Sequence, residues 1–157
     1  MAAAPKNAWT IPLADGPVSA VADRVTAAIV ALAAATLTVV LARVTPDARG
    51  HGTHEQLGMD VCGWPIVYGV PCPTCGCTTA AAQLVHGDVF GAFATQPFGA
   101  TLALVGLAAG VHAALCLWRR RSFVDVLVRL PFWKLVFYGF VLLLASWGYK
   151  YAIWPAS

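Results

Sequence analysis

Three long stretches of this chain carry no charged residue, and nothing else in the sequence restricts the fold as strongly. Val25 to Ala42 runs for 18 residues, Phe98 to Trp118 for 21 and Leu135 to Tyr149 for 15. A membrane-crossing helix needs about 20 mainly apolar residues. The third run reaches that length if Lys134 and Lys150 snorkel toward the two interfaces. A soluble core has no use for such runs, because its helices keep a polar face. Composition agrees: only 11% of residues are charged, against roughly 25% in an ordinary soluble domain.

The runs predict an all-α membrane protein with about three transmembrane helices. A short two-helix interfacial or re-entrant insert is expected between the first and second. The expected spans are about 22–44, 97–118 and 132–154, with a cysteine-bearing insert at 45–96. Residues 18–157 then form a single membrane domain, and 1–17, with Pro5, Pro12, Gly16 and Pro17, a mobile N-terminal tail. The first run reads as a retained span rather than a cleaved signal. About twenty residues with little positive charge precede it, and no small-x-small site follows.

The net charge of +3 gives no reason to expect nucleic acid, since the basic residues have a membrane explanation. Arg119, Arg120, Arg121, Arg129 and Lys134 flank the gap between the second and third runs. With that gap in the cytoplasm, seven basic residues lie inside and three (Arg43, Arg49 and Lys150) outside. The expected location is a bacterial cytoplasmic membrane, with the N-terminus inside and the insert outside. The partner is the lipid bilayer, with a homo-oligomer or a membrane complex as a further possibility.

Within the insert, Pro46 closes the first helix and a polar stretch follows, with Asp47, Arg49, His51, His54, Glu55 and Gln56. Met59 to Val70 is apolar and glycine-punctuated, and its Trp64 and Tyr68 suit the headgroup level. Thr78 to His86 has helix-forming composition but is too short to cross a membrane. Gly87 is a candidate C-cap, Asp88 a candidate N-cap for a second short helix through Phe93, and Pro97 suits the first turn of the second span. Gly99, Ala103, Gly106 and Gly110 form a small-residue ridge, read as packing on the protein's own helices in preference to homodimerisation. In the third span, Trp147, Tyr149, Tyr151 and Trp154 form an aromatic belt. Phe123 to Leu130 is a candidate short interfacial helix.

The stretch that can carry chemistry is Pro71-Cys72-Pro73-Thr74-Cys75-Gly76-Cys77-Thr78. Two sulfurs three residues apart can face one metal ion, and Gly76 permits the tight turn between them and the next helix. A tetrahedral site needs four ligands, and the others would come from Cys62, Cys77, His51, His54 or His86. The same spacing supports thiol–disulfide chemistry, helped by a following helix N-terminus. An outside-facing location also permits a permanent disulfide, for instance from Cys62 to one of the others. His51 and His54 read as solvated, His112 as a neutral residue hydrogen-bonded to a neighbouring helix, and Cys116 as apolar filler. No phosphate-binding glycine loop, nucleophile elbow or HExxH helix is present. The reading leans away from an enzyme.

In series, these residues resemble a family of small bacterial membrane proteins described only as a domain of unknown function. Its pattern is an upstream Cys, a short apolar stretch, P-C-P-G-C-G-x-T-R-A, H-G-D and an N-P before a long span. Cys62, Pro71 to Ala80, His86-Gly87-Asp88 and Gln96-Pro97 follow that order, so the resemblance covers roughly residues 60 to 118. Thr74 replaces a Gly, Thr79 an Arg and Gln96 an Asn, and Cys77 falls at a variable position. The resemblance implies no activity.

The favoured expectation is a cysteine-centred metal site holding Zn or another thiolate-bound metal. Its ligands are Cys62, Cys72 and Cys75, with His86 or Cys77 as fourth, and Gly76, Gly87, Asp88 and Pro97 are its structural supports. The alternatives are a thiol–disulfide or disulfide-stabilised element, and an accessory subunit whose cysteines only hold the insert together.

Overall fold

A computed structural model of the chain describes residues 19–154; the expected N-terminal tail lies outside them. The described residues are all-helical: α1 (Ala20–Ala42), a 3-10 turn (Thr53–Leu57), α2 (Gly63–Tyr68), α3 (Cys77–Val85), α4 (Val89–Thr95), α5 (Pro97–Arg119), α6 (Val124–Arg129) and α7 (Phe132–Ala152). Three of these, α1, α5 and α7, are long and apolar enough to cross a membrane. The insert is richer than the sequence predicted. Besides the α3–α4 pair it holds the 3-10 turn and α2.

α1 packs along α5, and the α3–α4 hairpin packs on the start of α5. Small side chains let these backbones approach closely, which substitutes for a hydrophobic driving force inside lipid. Ala27, Ala113, Cys116 and Phe123 make one buried cluster, and Ala80, Leu84, Ala92 and Ala100 make the other. Two glycines of the α5 ridge are spent on these contacts, while a Cβ at Gly106 would meet no neighbour within 4 Å. Gly110 meets Ala34 of α1, and a Cβ at Gly99 would lie 2.6 Å from the Cys77 Cα.

At one end of the bundle, Asp23 in the first turn of α1 is buried. Its carboxylate accepts from Ser122 Oγ at 2.9 Å and from the Val124 N–H at 2.8 Å, so it caps the start of α6 from another helix. The insert occupies the opposite end, where α1 stops, α5 begins and α7 stops.

There the expected snorkelling of Lys150 is overturned. Its side chain is only 5% exposed and turns inward, donating to the carbonyls of Gly50 (3.0 Å) and Thr95 (3.3 Å). A buried ammonium needs acceptors, and loop carbonyls left open by the irregular backbone supply them. Neighbouring side chains do the same work. Trp147 Nε1 donates to the Pro71 carbonyl (2.9 Å), Tyr149 to the Ala94 carbonyl (2.7 Å), and Ser146 Oγ accepts from the Phe98 N–H (3.0 Å). These four residues fall at helical spacing, so one face of α7 holds the insert through Trp147, Tyr149 and Lys150 and the start of α5 through Ser146. Trp147 and Tyr149, read from sequence as belt residues, hold insert carbonyls.

Candidate functional site

The cysteine turn is built by its own backbone. The Cys75 N–H donates to the Cys72 carbonyl and the Cys77 N–H to the Thr74 carbonyl, each at 3.0 Å. Gly76 then caps α3 with φ +91°, and a Cβ there would lie 2.6 Å from the Gly50 carbonyl oxygen. Only glycine satisfies both the left-handed backbone and that close approach. The turn is tied down by Gln96, which is fully buried. Its Oε1 accepts from the Phe98 and Gly99 N–H groups (2.9 and 3.2 Å), and its Nε2 donates to the Pro73 carbonyl (3.2 Å). One side chain thus caps α5 and anchors the cysteine turn. From sequence this residue stands out only as the Gln of Gln96-Pro97, in place of an Asn in the family pattern.

A second anchor is equally buried. The Thr79 and Thr53 hydroxyls are 2.8 Å apart, and Thr53 Oγ1 also accepts from the Asp47 N–H at 3.0 Å. This chain of bonds places the polar loop over the cysteine turn. In that loop Arg49 bridges Asp47 (2.7 Å) and Glu55 (3.1 Å). The guanidinium holds the Asp47 carboxyl down at about 2.

Between the loop, α2 and the start of α3 lies a cavity of about 520 Å³. Cys62, Cys72 and Cys75 all line it, together with Arg49, His51, His54 and Glu55. The structure therefore brings the three expected cysteines to one wall. Burial pushes the Cys62 thiol up, and the Cys72 sulfur beside it adds to that rise. Cys75 is pushed up to about 12, chiefly by burial and then by the neighbouring Cys72 and Cys62, with the Lys150 ammonium opposing. No disulfide joins any two cysteines among the described residues of this structure.

The two candidates for a fourth ligand stand elsewhere. Cys77 is the first residue of α3 and lines a separate apolar groove between α1, α3 and α5. Its thiol is pushed up to about 11 by burial. His86 Nε2 is 3.0 Å from the Val44 carbonyl, which makes it the donor there and joins the end of α3 to the end of α1. Gly87 follows with φ +88°, and Asp88 Oδ1 accepts from the Gly91 N–H at 2.8 Å. Among the described residues, no three His, Cys, Asp or Glu side chains are arranged to hold a metal ion together.

The histidines of the polar loop, read from sequence as solvated, line this open cavity. His51 Nδ1 is 3.0 Å from the Arg49 carbonyl, and its ring lies 4.7 Å from that of Trp154. His112 contacts Cys116 Sγ at 3.6 Å, one turn along its own helix rather than across to another.

Residues 62–110 match a family model described as "Protein of unknown function (DUF2752)". The matched segment begins at Cys62 and contains the cysteine turn, the α3–α4 hairpin and most of α5. No curated protein and no solved structure matches the chain.

Proposed function

We propose that this multi-pass membrane protein, matched from Cys62 onward to a family of unknown function, is a thiol protein whose reactive unit is the Cys62–Cys72 pair. One observation carries the reading: Cys62 and Cys72 line the same open cavity, and the Cys72 sulfur adds to the cost of ionising Cys62. Two neighbouring thiols convert to a disulfide by exchange with a small disulfide. Both thiols lose a proton and together pass two electrons, releasing the small disulfide as two thiols. Cys75 is not the attacking group. At about 12, it is ionised to roughly one part in 10⁵ at neutral pH. The pair therefore has no third nucleophile to resolve it, which favours a stable or regulated bridge over turnover.

The insert lies on the outer, oxidising side in this reading, because the basic residues cluster at the other end of the bundle. A second reading is favoured by a separate feature: Cys75 shares the same wall and is coupled to both other sulfurs. Three cysteines on one cavity are the donor type that Zn²⁺ or another thiophilic ion takes, but holding one would require them to move from the present arrangement.

Thiol counting and elemental analysis separate the two, on protein purified in mild detergent without added metal or reductant. Three free thiols of the five, with a Cys62–Cys72 peptide pair in the digest, support the bridge. Five thiols with one equivalent of metal support the second reading. Five thiols without metal sink both.

A further inference from the structure

The chain that joins the two sulfurs is the least protected part of the insert. α2 buries none of its residues. Ile66 is 70% and Val67 71% exposed, and Trp64 and Tyr68 are exposed beside them with their rings 5.2 Å apart. A short apolar helix left open in this way needs a cover, and the structure shows which one is at hand. Leu57 and Met59, which lead into α2, line the same apolar groove as Leu41 of α1 and Leu102 and Leu107 of α5. Met59, Val61 and Ile66 also line the cysteine cavity, so apolar side chains run from that groove of the spans to the exposed Val67. Paired Trp and Tyr side chains beside such a surface match the headgroup level, where an amphipathic ring has one wet and one apolar side.

We propose that α2 is docked in the interfacial layer of the bilayer, and that lipid, rather than protein, holds Cys62 against Cys72. The docking stands on exposure and continuity alone. The consequence for the sulfurs rests on the Cys62–Cys72 reading above. Cys62 is the residue immediately before α2, and Cys72 follows it by three residues after Gly69. Any swing of α2 therefore moves one sulfur relative to the other.

The test uses the full chain at one copy per lipid nanodisc, in phosphatidylcholine with or without brominated acyl chains. The difference between parent and Trp64→Phe isolates the Trp64 fluorescence. It should be quenched by the brominated lipid, and its absence from quenching overturns the proposal. Val67→Glu places a charge on an exposed side chain that lines neither the cysteine cavity nor the apolar groove. It should abolish that quenching and slow oxidation of the pair by oxidised glutathione several-fold, while Val67→Ile should change neither. Quenching lost with an unchanged oxidation rate overturns the control of the sulfurs by lipid. A parent that forms no Cys62–Cys72 bridge at all refutes the thiol reading instead, and the Trp64 measurement still decides the docking.

Discussion

Gly76 and Cys75 sit side by side and are constrained by different physics. At Gly76 the limit is steric: φ is +91°, and the Gly50 carbonyl fills the place of a side chain. Gly76→Ala should destabilise the folded protein by about 1–3 kcal/mol, from left-handed strain plus displacement of the loop; thermal unfolding in detergent measures it. At Cys75 the limit is electrostatic. Its folded-state value of about 12 lies above the ordinary thiol value of 9.0. A raised value means that the folded state holds the proton more tightly, so this contribution is fully present below about pH 9 and is lost as pH rises toward 12. Melting temperature should therefore fall over that interval, and Cys75→Ala should flatten the fall. Equal slopes for parent and variant would show that Cys75 is not the group responsible. The sulfurs also predict a pattern of substitution. Cys62→Ser and Cys72→Ser should cost the same singly and together, because either one breaks the bridge. Cys77→Ser and Cys116→Ser should be tolerated. A metal site would make Cys75→Ser as damaging as the other two.

The elements divide by how far away their partners lie. Spans α1, α5 and α7 were legible because a charge-free run declares itself within its own residues. The caps were legible for the same reason: Asp88 reaches the Gly91 N–H three residues on, and Gly87 ends its own helix. That cap has a direct test. Asp88→Ala should cost roughly 0.5–2 kcal/mol, and Asp88→Asn clearly less, since Asn still accepts from the backbone. Comparable losses in the two variants would assign the carboxylate another role. What the sequence hid was contact at a distance. Lys150 bonds to Gly50 and Thr95, Gln96 to Pro73, and Asp23 to Val124. Hydropathy assigns a lysine at the end of a span to the interface, and nothing local marks it as a clamp on loop carbonyls. The three cysteines were an intermediate case. The Cys72–Cys75 spacing brings two sulfurs into one turn, but only the path of α2 and the preceding loop places Cys62 beside them. Lys150→Met keeps the stem and removes both donors. Relief of ammonium burial offsets part of the loss, so a net cost of about 1–3 kcal/mol is expected. Protease cleavage between Asp47 and Gly52 should rise with it, since the Gly50 carbonyl is released.

At the scale of the whole molecule the two ends differ in kind. One end carries Arg24, the Arg119–Arg121 cluster, Arg129 and Lys134. The other carries the cysteine insert, fastened by an inward-turned lysine that donates to the Gly50 and Thr95 carbonyls. Removing Lys150 from the surface count leaves Arg43 and Arg49 at the insert end, and Arg49 is already paired with Asp47 and Glu55. The proposed orientation rests on this asymmetry of Lys and Arg between the two ends. A reporter active only in the cytoplasm should work when fused after Arg121 and fail when fused after Gly58, and an exported reporter should show the reverse. Replacing Arg119, Arg120 and Arg121 by Gln should reduce that contrast, because the cluster supplies three of the six basic residues named at its end. The opposite activities in the parent would put the insert in a reducing compartment. A lasting Cys62–Cys72 bridge would then be disfavoured, and the thiolate–metal reading would become the stronger of the two.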